Sequence, residues 1–205
     1  SMKKEDFLKR ISTALHRHEG SPVEVPPALL EPLETWNPAD LVEAFKLEHE
    51  TIGGQFHLVQ TMEEARVTLK SILVELAAKS FICSTDSIVD EVLSAVNLPL
   101  AENPADADVG ITGVRCAIAQ TGTLVLTSDK GRKASLLPMN HVALVRAEQL
   151  VPTMAEAFEL YLSKTGMDIP TAWVQATGPS RTADIEQTLE IGVHGPGVVH
   201  VILIQ

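Results

Sequence analysis

The sequence predicts an α/β protein with an open, mixed sheet flanked by helices, and three observations carry that expectation. Short runs rich in β-branched residues recur at 55–60, 81–83, 116–119, 123–127, 141–146, 172–176 and 198–204. They are nearly unbroken in apolar character, the pattern of strands covered on both faces. Helical stretches alternate with these runs from residue 55 onward, as in sheets wound with helices. Gln120-Thr121-Gly122 separates two of the runs at hairpin spacing, so part of the sheet is expected to be antiparallel.

Residues 3–18 place Phe7, Leu8, Ile11 and Leu15 at helical spacing, and Gly20 stops that helix. From there to Pro38 the chain carries Pro22, Pro26, Pro27, Pro32 and Pro38, which forbids a helix or a central strand and predicts an extended strap. Asn37-Pro38 opens a helix reaching about Glu50, and Gly53-Gly54 ends it. Residues 1–54 are thus expected to form a helical, Pro-rich extension and 55–205 the α/β domain.

Within that domain, Thr61 with Glu64 three residues on forms a capping box. The helix it opens buries Ala65, Leu69, Ile72, Leu73 and Leu76. Further helices are expected over 86–96, from Pro152 to about Ser163, and over Arg181–Leu189, with 108–112 a loop or short element.

Acidic residues outnumber basic ones 27 to 16, for a net charge of −11. An average surface of that sign repels a phosphate backbone, which argues against nucleic acid as partner. The two cysteines, Cys83 and Cys116, lie far apart without CxxC spacing. They supply neither a disulfide framework nor the roughly four thiolates an iron–sulfur cluster takes. No run reaches the ~20 apolar residues of a membrane span, and no apolar leader is evident. The expectation is a cytoplasmic protein with no membrane contact.

Four segments are candidates for chemistry. Thr177-Gly178-Pro179-Ser180-Arg181-Thr182-Ala183-Asp184-Ile185-Glu186 follows a strand and is read as opening a helix. First-turn N–H groups, the hydroxyls of Ser180 and Thr182, and the Arg181 guanidinium would together hold a carboxylate or phosphate. The plain alternative is a capped helix with Arg181 in solvent. Asp184 and Glu186 already complement the positive helix end; they would orient Arg181 or bind a cation.

Gln120-Thr121-Gly122-Thr123 is either a tight turn using the φ freedom of Gly122 or a nest of donors for a ligand oxygen. His194, in Gly192-Val193-His194-Gly195-Pro196-Gly197, sits in a bend that lets backbone approach a ligand closely. Asp129-Lys130-Gly131-Arg132-Lys133 is a solvated loop or a lid in which Arg132 closes over an anion. His141, at a strand start, reads as structural. Glu48-His49-Glu50 lacks the second histidine of a zinc-protease helix, and no dinucleotide fingerprint, P-loop or nucleophile elbow occurs. No metal site is expected.

Ala107-Asp108-Val109-Gly110-Ile111-Thr112-Gly113, the run Ala117–Leu126 around Gln120-Thr121-Gly122-Thr123, Ser135-Leu136-Leu137-Pro138, the decapeptide at 177–186 and Gly192-Val193-His194-Gly195-Pro196 together resemble the LUD (lactate utilization) domain family across roughly residues 60–205. The resemblance implies a NagB/RpiA/CoA-transferase-like fold. It also implies a role in oxidising L-lactate to pyruvate beside iron–sulfur partner subunits, which would carry the clusters this chain cannot hold. Two positions depart from the family's usual pattern. Gln120 stands where Glu is common, and an amide cannot act as a carboxylate nucleophile. Pro138-Met139-Asn140-His141 replaces Pro-Pro-Val-His.

The ligand-binding candidates are therefore Thr112, Gln120, Thr121, Gly122, Thr123, Arg132, Gly178, Ser180, Arg181, Thr182, His194 and Gly195, with their loops converging over one rim of the sheet. The expected ligand is a small organic acid or a phosphorylated compound. Three readings compete: a subunit of a lactate-oxidising complex; a stand-alone sugar-phosphate isomerase or CoA-transferase-like enzyme with His194, Asp184 or Glu186 as base; and a non-catalytic scaffold docked through the Pro-rich strap.

Overall fold

The computed structural model of the chain describes residues 3–14, 36, 38–131, 133–165, 170–183, 189–192 and 194–205. The chain divides into two units, residues 1–35 and 36–205. In the first, α1 (Lys4–Ala14) sets Phe7, Leu8 and Ile11 on its surface, all more than two-fifths exposed.

The second unit opens with α2 (Leu41–Thr51), whose N-terminus is capped by Asp40: its carboxylate accepts from the backbone N–H of Val42 and Glu43. After β1 (Gln55–Val59) comes α3 (Met62–Glu75). Thr61 Oγ1 accepts from Glu64 N–H at 3.1 Å, and the Glu64 carboxylate reaches back to Gln60 N–H at 2.8 Å. That is the reciprocal capping the Thr61/Glu64 spacing predicts.

The order continues through β2 (Phe81–Cys83), α4 (Ser87–Leu93), β3 (Val109–Gly113), β4 (Cys116–Ile118), β5 (Thr123–Thr127), α5 (Lys133–Leu136), β6 (Asn140–Arg146), β7 (Leu150–Val151), α6 (Met154–Thr165), β8 (Trp173–Ala176), β9 (Arg181–Ala183), β10 (Leu189–Ile191) and β11 (Val198–Ile204).

Two sheets make the body. The first runs β1-β11-β6-β3-β2 with every pairing parallel. The second, β7-β4-β5-β8, is mixed: β4 and β5 form the expected hairpin, and β5 pairs antiparallel with β8. The α/β class read from the sequence is the one observed, with the antiparallel pairings in the second sheet and in a separate β9–β10 pair.

Side chains that alternate along the parallel strands sort into two cores. Val109, Ile111, Val142, Leu144, Ile202 and Ile204 face α3 and α4. Ala143, Val145, Val199, Val201 and Leu203 face the second sheet together with Phe45 of α2. The far side of the second sheet, with Ile118, Val125 and Val151, is covered by Ala157 and Leu160 of α6. Each large aliphatic side chain fully removed from water in these layers contributes about 1.5–3 kcal/mol.

Two expectations are corrected. Residues 108–112, read as a loop or short element, fall almost wholly within β3 (Val109–Gly113), a fully buried interior strand. Gly110 and Thr112 disguised it; a Cβ at Gly110 would collide with the Ala134 carbonyl. The stretch expected as a helix over Arg181–Leu189 instead begins and ends in strands: β9 pairs antiparallel with β10, Arg181 opposite Ile191. Ser180 exchanges backbone bonds with the following glycine-rich bend, accepting from Gly192 N–H at 2.9 Å and donating to Pro196 O at 2.8 Å. Those long-range bonds outweigh the local helical pattern. Residues 184–188 lie outside the described residues.

Candidate functional site

The parallel sheet has two rims, and the sequence candidates divide between them. At the amino rim, α2 ends in Ile52-Gly53-Gly54 and leads directly into β1. Two motif loops gather on that helix end, and a third packs against one of them. Gly122 (φ +62°) passes so close that a Cβ would stand 2.6 Å from His49 N, and its carbonyl meets His49 Nδ1 at 3.1 Å. Thr123 Oγ1 bridges Thr121 Oγ1 at 2.7 Å and Thr177 Oγ1 at 2.8 Å. Gly178 (φ +73°) packs on the Ile52 side chain, and Arg181 Nη2 donates to Ile52 O at 2.5 Å. Gly195 lies against Ser180.

Gln120–Thr123 and Thr177–Arg181 thus meet at the amino rim, with Gly195 against Ser180. There the threonine hydroxyls bond one another and the guanidinium satisfies one of the open carbonyls at a helix C-terminus. His194 diverges from Arg181: it is exposed and lines a surface groove with Asp106, Met139 and Asn140. The first-turn donors expected of a helix at Arg181 are absent, since β9 starts there. Gln120 is exposed, its N–H bonded to Pro152 O. Arg132, Asp184, Glu186 and the Thr182 side chain lie outside the described residues.

The carboxyl rim is where open α/β sheets place ligands. A cleft of about 420 Å³ opens beyond the ends of β2, β3 and β6, within the size range of small-molecule sites. Thr112 is the sequence candidate that lines it. Its partners there were not singled out individually from the sequence: Ser84 and Asp86 after β2, Arg115 after β3, Lys130 after β5, and Arg146 at the end of β6. The available signal was position, because each follows the last apolar residue of a strand that ends on this rim.

The geometry of the cleft is tightly determined. Ser84 Oγ donates to Asp86 Oδ2 at 2.6 Å and accepts from Gly113 N–H at 3.2 Å. Asp86 Oδ1 stands 4.0 Å from Lys130 Nζ. A Cβ at Gly113 would come within 2.8 Å of Asp86 Cγ, so a glycine is required for the carboxylate to lie over β3. Thr112 Oγ1 is 2.8 Å from His141 Nε2. Burial, reinforced by the neighbouring His49, lowers the His141 pKa to about 4, so the imidazole holding Thr112 is neutral near pH 7. Arg146 is paired with Glu91 at 2.8 Å. The cleft thus offers cations, hydroxyls and the carboxylates of Asp86 and Glu148, of which Asp86 is fixed by Ser84, a set suited to orienting a small polar molecule.

Among the described residues no cluster of three or more His, Cys, Asp or Glu side chains could hold a metal ion, and no helix is long and apolar enough to cross a membrane.

A parallel sheet backed by helices, layered on a mixed sheet and bearing a polar cleft at its carboxyl rim, defines the class: a layered α/β protein with a small-molecule-sized cleft. The family model described as the LUD domain matches residues 42–204, and the chain belongs to that family. It is 34% identical over 220 residues to lactate utilization protein C 1 of Bacillus mycoides (strain KBAB4), covering 94% of this chain and 93% of that protein. Lactate utilization protein C of Anoxybacillus flavithermus (strain DSM 21510 / WK1) is 31% identical over 216 residues, 94% of each chain. A duf162 family protein from Deinococcus radiodurans, known from its crystal structure, shares the fold with a TM-score of 0.58 at 24% identity, over 80% of this chain and 96% of that one.

Proposed function

We propose that this chain serves lactate utilization as the subunit that binds a small organic acid, leaving electron transfer to iron–sulfur partner proteins. The observation that carries the role is the end-to-end likeness to lactate utilization protein C of Bacillus mycoides, which spans nearly all of both chains. The cysteine count supports the division of labour, because two thiols fall short of the roughly four that a cluster takes.

The acid sits in the carboxyl-rim cleft, its carboxylate on Lys130 and its neighbouring oxygen within reach of Thr112. Charge-assisted bonds of this kind are stronger than those between neutral groups. The amino-rim loops act as the frame that locks α2 against the sheet.

Reconstitution tests the role. Lactate-dependent dye reduction by the assembled partner proteins is expected to require this chain, and activity unchanged by its omission would refute the assignment. Lys130→Ala is expected to weaken L-lactate binding by roughly tenfold or more, measured by calorimetry.

A further inference from the structure

We infer that Asp86 is a specificity-determining residue that selects a 2-hydroxy acid over the corresponding 2-oxo acid. The inference rests on the reading of the cleft as a small-carboxylate site and adds to it which oxidation state of the ligand is preferred.

Asp86 stands immediately before α4, at the position where an aspartate ordinarily accepts from the first N–H groups of the helix. Its side chain makes no such bond. It turns instead toward the cleft, where Ser84 Oγ–H occupies Oδ2 and Ser84 is itself fixed by Gly113 N–H. The missing side chain at Gly113 provides the space the carboxylate fills. A capping interaction is forgone, and a hydroxyl, a backbone donor and a glycine together hold this carboxylate in a single orientation.

The consequence is an acceptor aimed at the ligand. An ionised carboxylate has lone pairs and no proton to give. With Oδ2 engaged by Ser84, Oδ1 is the atom presented to the cleft. Among the described residues no hydrogen-bond donor meets it, and Lys130 Nζ at 4.0 Å is too far for a hydrogen bond. An anion-binding cation and a hydrogen-bond acceptor 4.0 Å apart match adjacent groups on one small molecule: a carboxylate and the substituent on its neighbouring carbon.

A C2 hydroxyl donates to Oδ1. A C2 carbonyl presents only lone pairs, so two acceptors would face each other, and desolvation without a bond is penalised. A C2 ammonium would also be a donor, drawn by Asp86 and Glu148 but opposed by Lys130, Arg115 and Arg146, the more numerous charges lining the cleft. The cleft therefore favours the hydroxy acid over both the oxo acid and the amino acid. For an oxidising system this bias retains the substrate and releases the product.

The test is calorimetry on the full chain with L-lactate, pyruvate, propionate and L-alanine as probes. The wild type is expected to bind L-lactate about tenfold more tightly than pyruvate, with propionate between them. Asp86→Asn, whose amide can donate to a carbonyl, is expected to bring lactate and pyruvate to equal affinity. Gly113→Ala keeps the carboxylate but displaces it, and is expected to lose the preference as well; a thermal melt of each variant establishes that it is folded. If wild-type protein binds lactate and pyruvate equally, if Asp86→Asn keeps the wild-type ratio, or if L-alanine binds more tightly than L-lactate, the inference is overturned while the cleft remains a carboxylate site. If none of the four probes binds, the reading of the cleft itself falls, and the inference with it.

Discussion

Four histidines on or beside the parallel sheet show how individual residues tie stability to acidity. His49, His141 and His200 are fully buried, and His57 stacks on His200 with Nε2 3.2 Å from His200 Nδ1. Burial lowers the pKa of all four; for His141 and His200 it falls to about 4. The native protein therefore keeps these rings neutral while the unfolded chain protonates them near pH 6.5. Proton uptake by the unfolded state draws the equilibrium away from the fold as acidity rises. Unfolding free energy is expected to be flat in these groups above pH 7 and to fall between pH 6.5 and 5, by up to about 1.4 kcal/mol per pH unit for each of His141 and His200. His200→Phe should make that fall shallower, as measured by denaturant titration at several pH values; an unchanged slope would show that His200 does not contribute.

At the scale of elements, the amino rim shows why motif residues are legible as a group but not by role. Thr177–Arg181 and Gly192–Pro196 stand out in the sequence because of their glycines and polar side chains. A loop that clamps a helix end draws on the same residue types as one that clamps a ligand: glycine for close approach, hydroxyls and a guanidinium for donors. Arg181 bonds to Ile52 O, a partner far away in the chain that no local pattern announces. Arg181→Ala is expected to cost about 1 kcal/mol, to speed amide exchange at Gly53 and Gly54, and to leave L-lactate binding unchanged. Weakened lactate binding, with exchange as in the wild type, would move Arg181 from the frame to the ligand.

The cap of α3 and the β4–β5 hairpin were readable because their determinants lie within a few residues of one another, whereas α2 starts at Leu41 under an Asp40 cap rather than at the expected Asn37-Pro38. The cleft was not, because Ser84, Asp86, Thr112, Lys130 and Arg146 meet only after several strands have taken their places. Strand β3 was missed for a related reason: Gly110 answers to the backbone of α5, which passes over it.

At the scale of the whole molecule, the layers share strands rather than merely touching. The parallel sheet contributes one face to each of two cores, so loss of either core exposes it. Trp36 packs on the core between the two sheets and Trp173 on the outer one beneath α6. Tryptophan fluorescence and far-ultraviolet circular dichroism are therefore expected to report one coincident denaturant transition for residues 36–205. Separated midpoints would mean that the second sheet and α6 melt independently.

Strand β11 lies between β1 and β6, with Gln55 paired to His200 and Val198 to Asn140. On a ribosome, β1 emerges early and then waits, its bonding edge unmet, until the segment 198–204 has been made. Connections this distant slow the search for the native arrangement. The nascent polypeptide thus keeps β1 apart from β6, β3 and β2 until β11 is made, a period during which a chaperone has the most to shield.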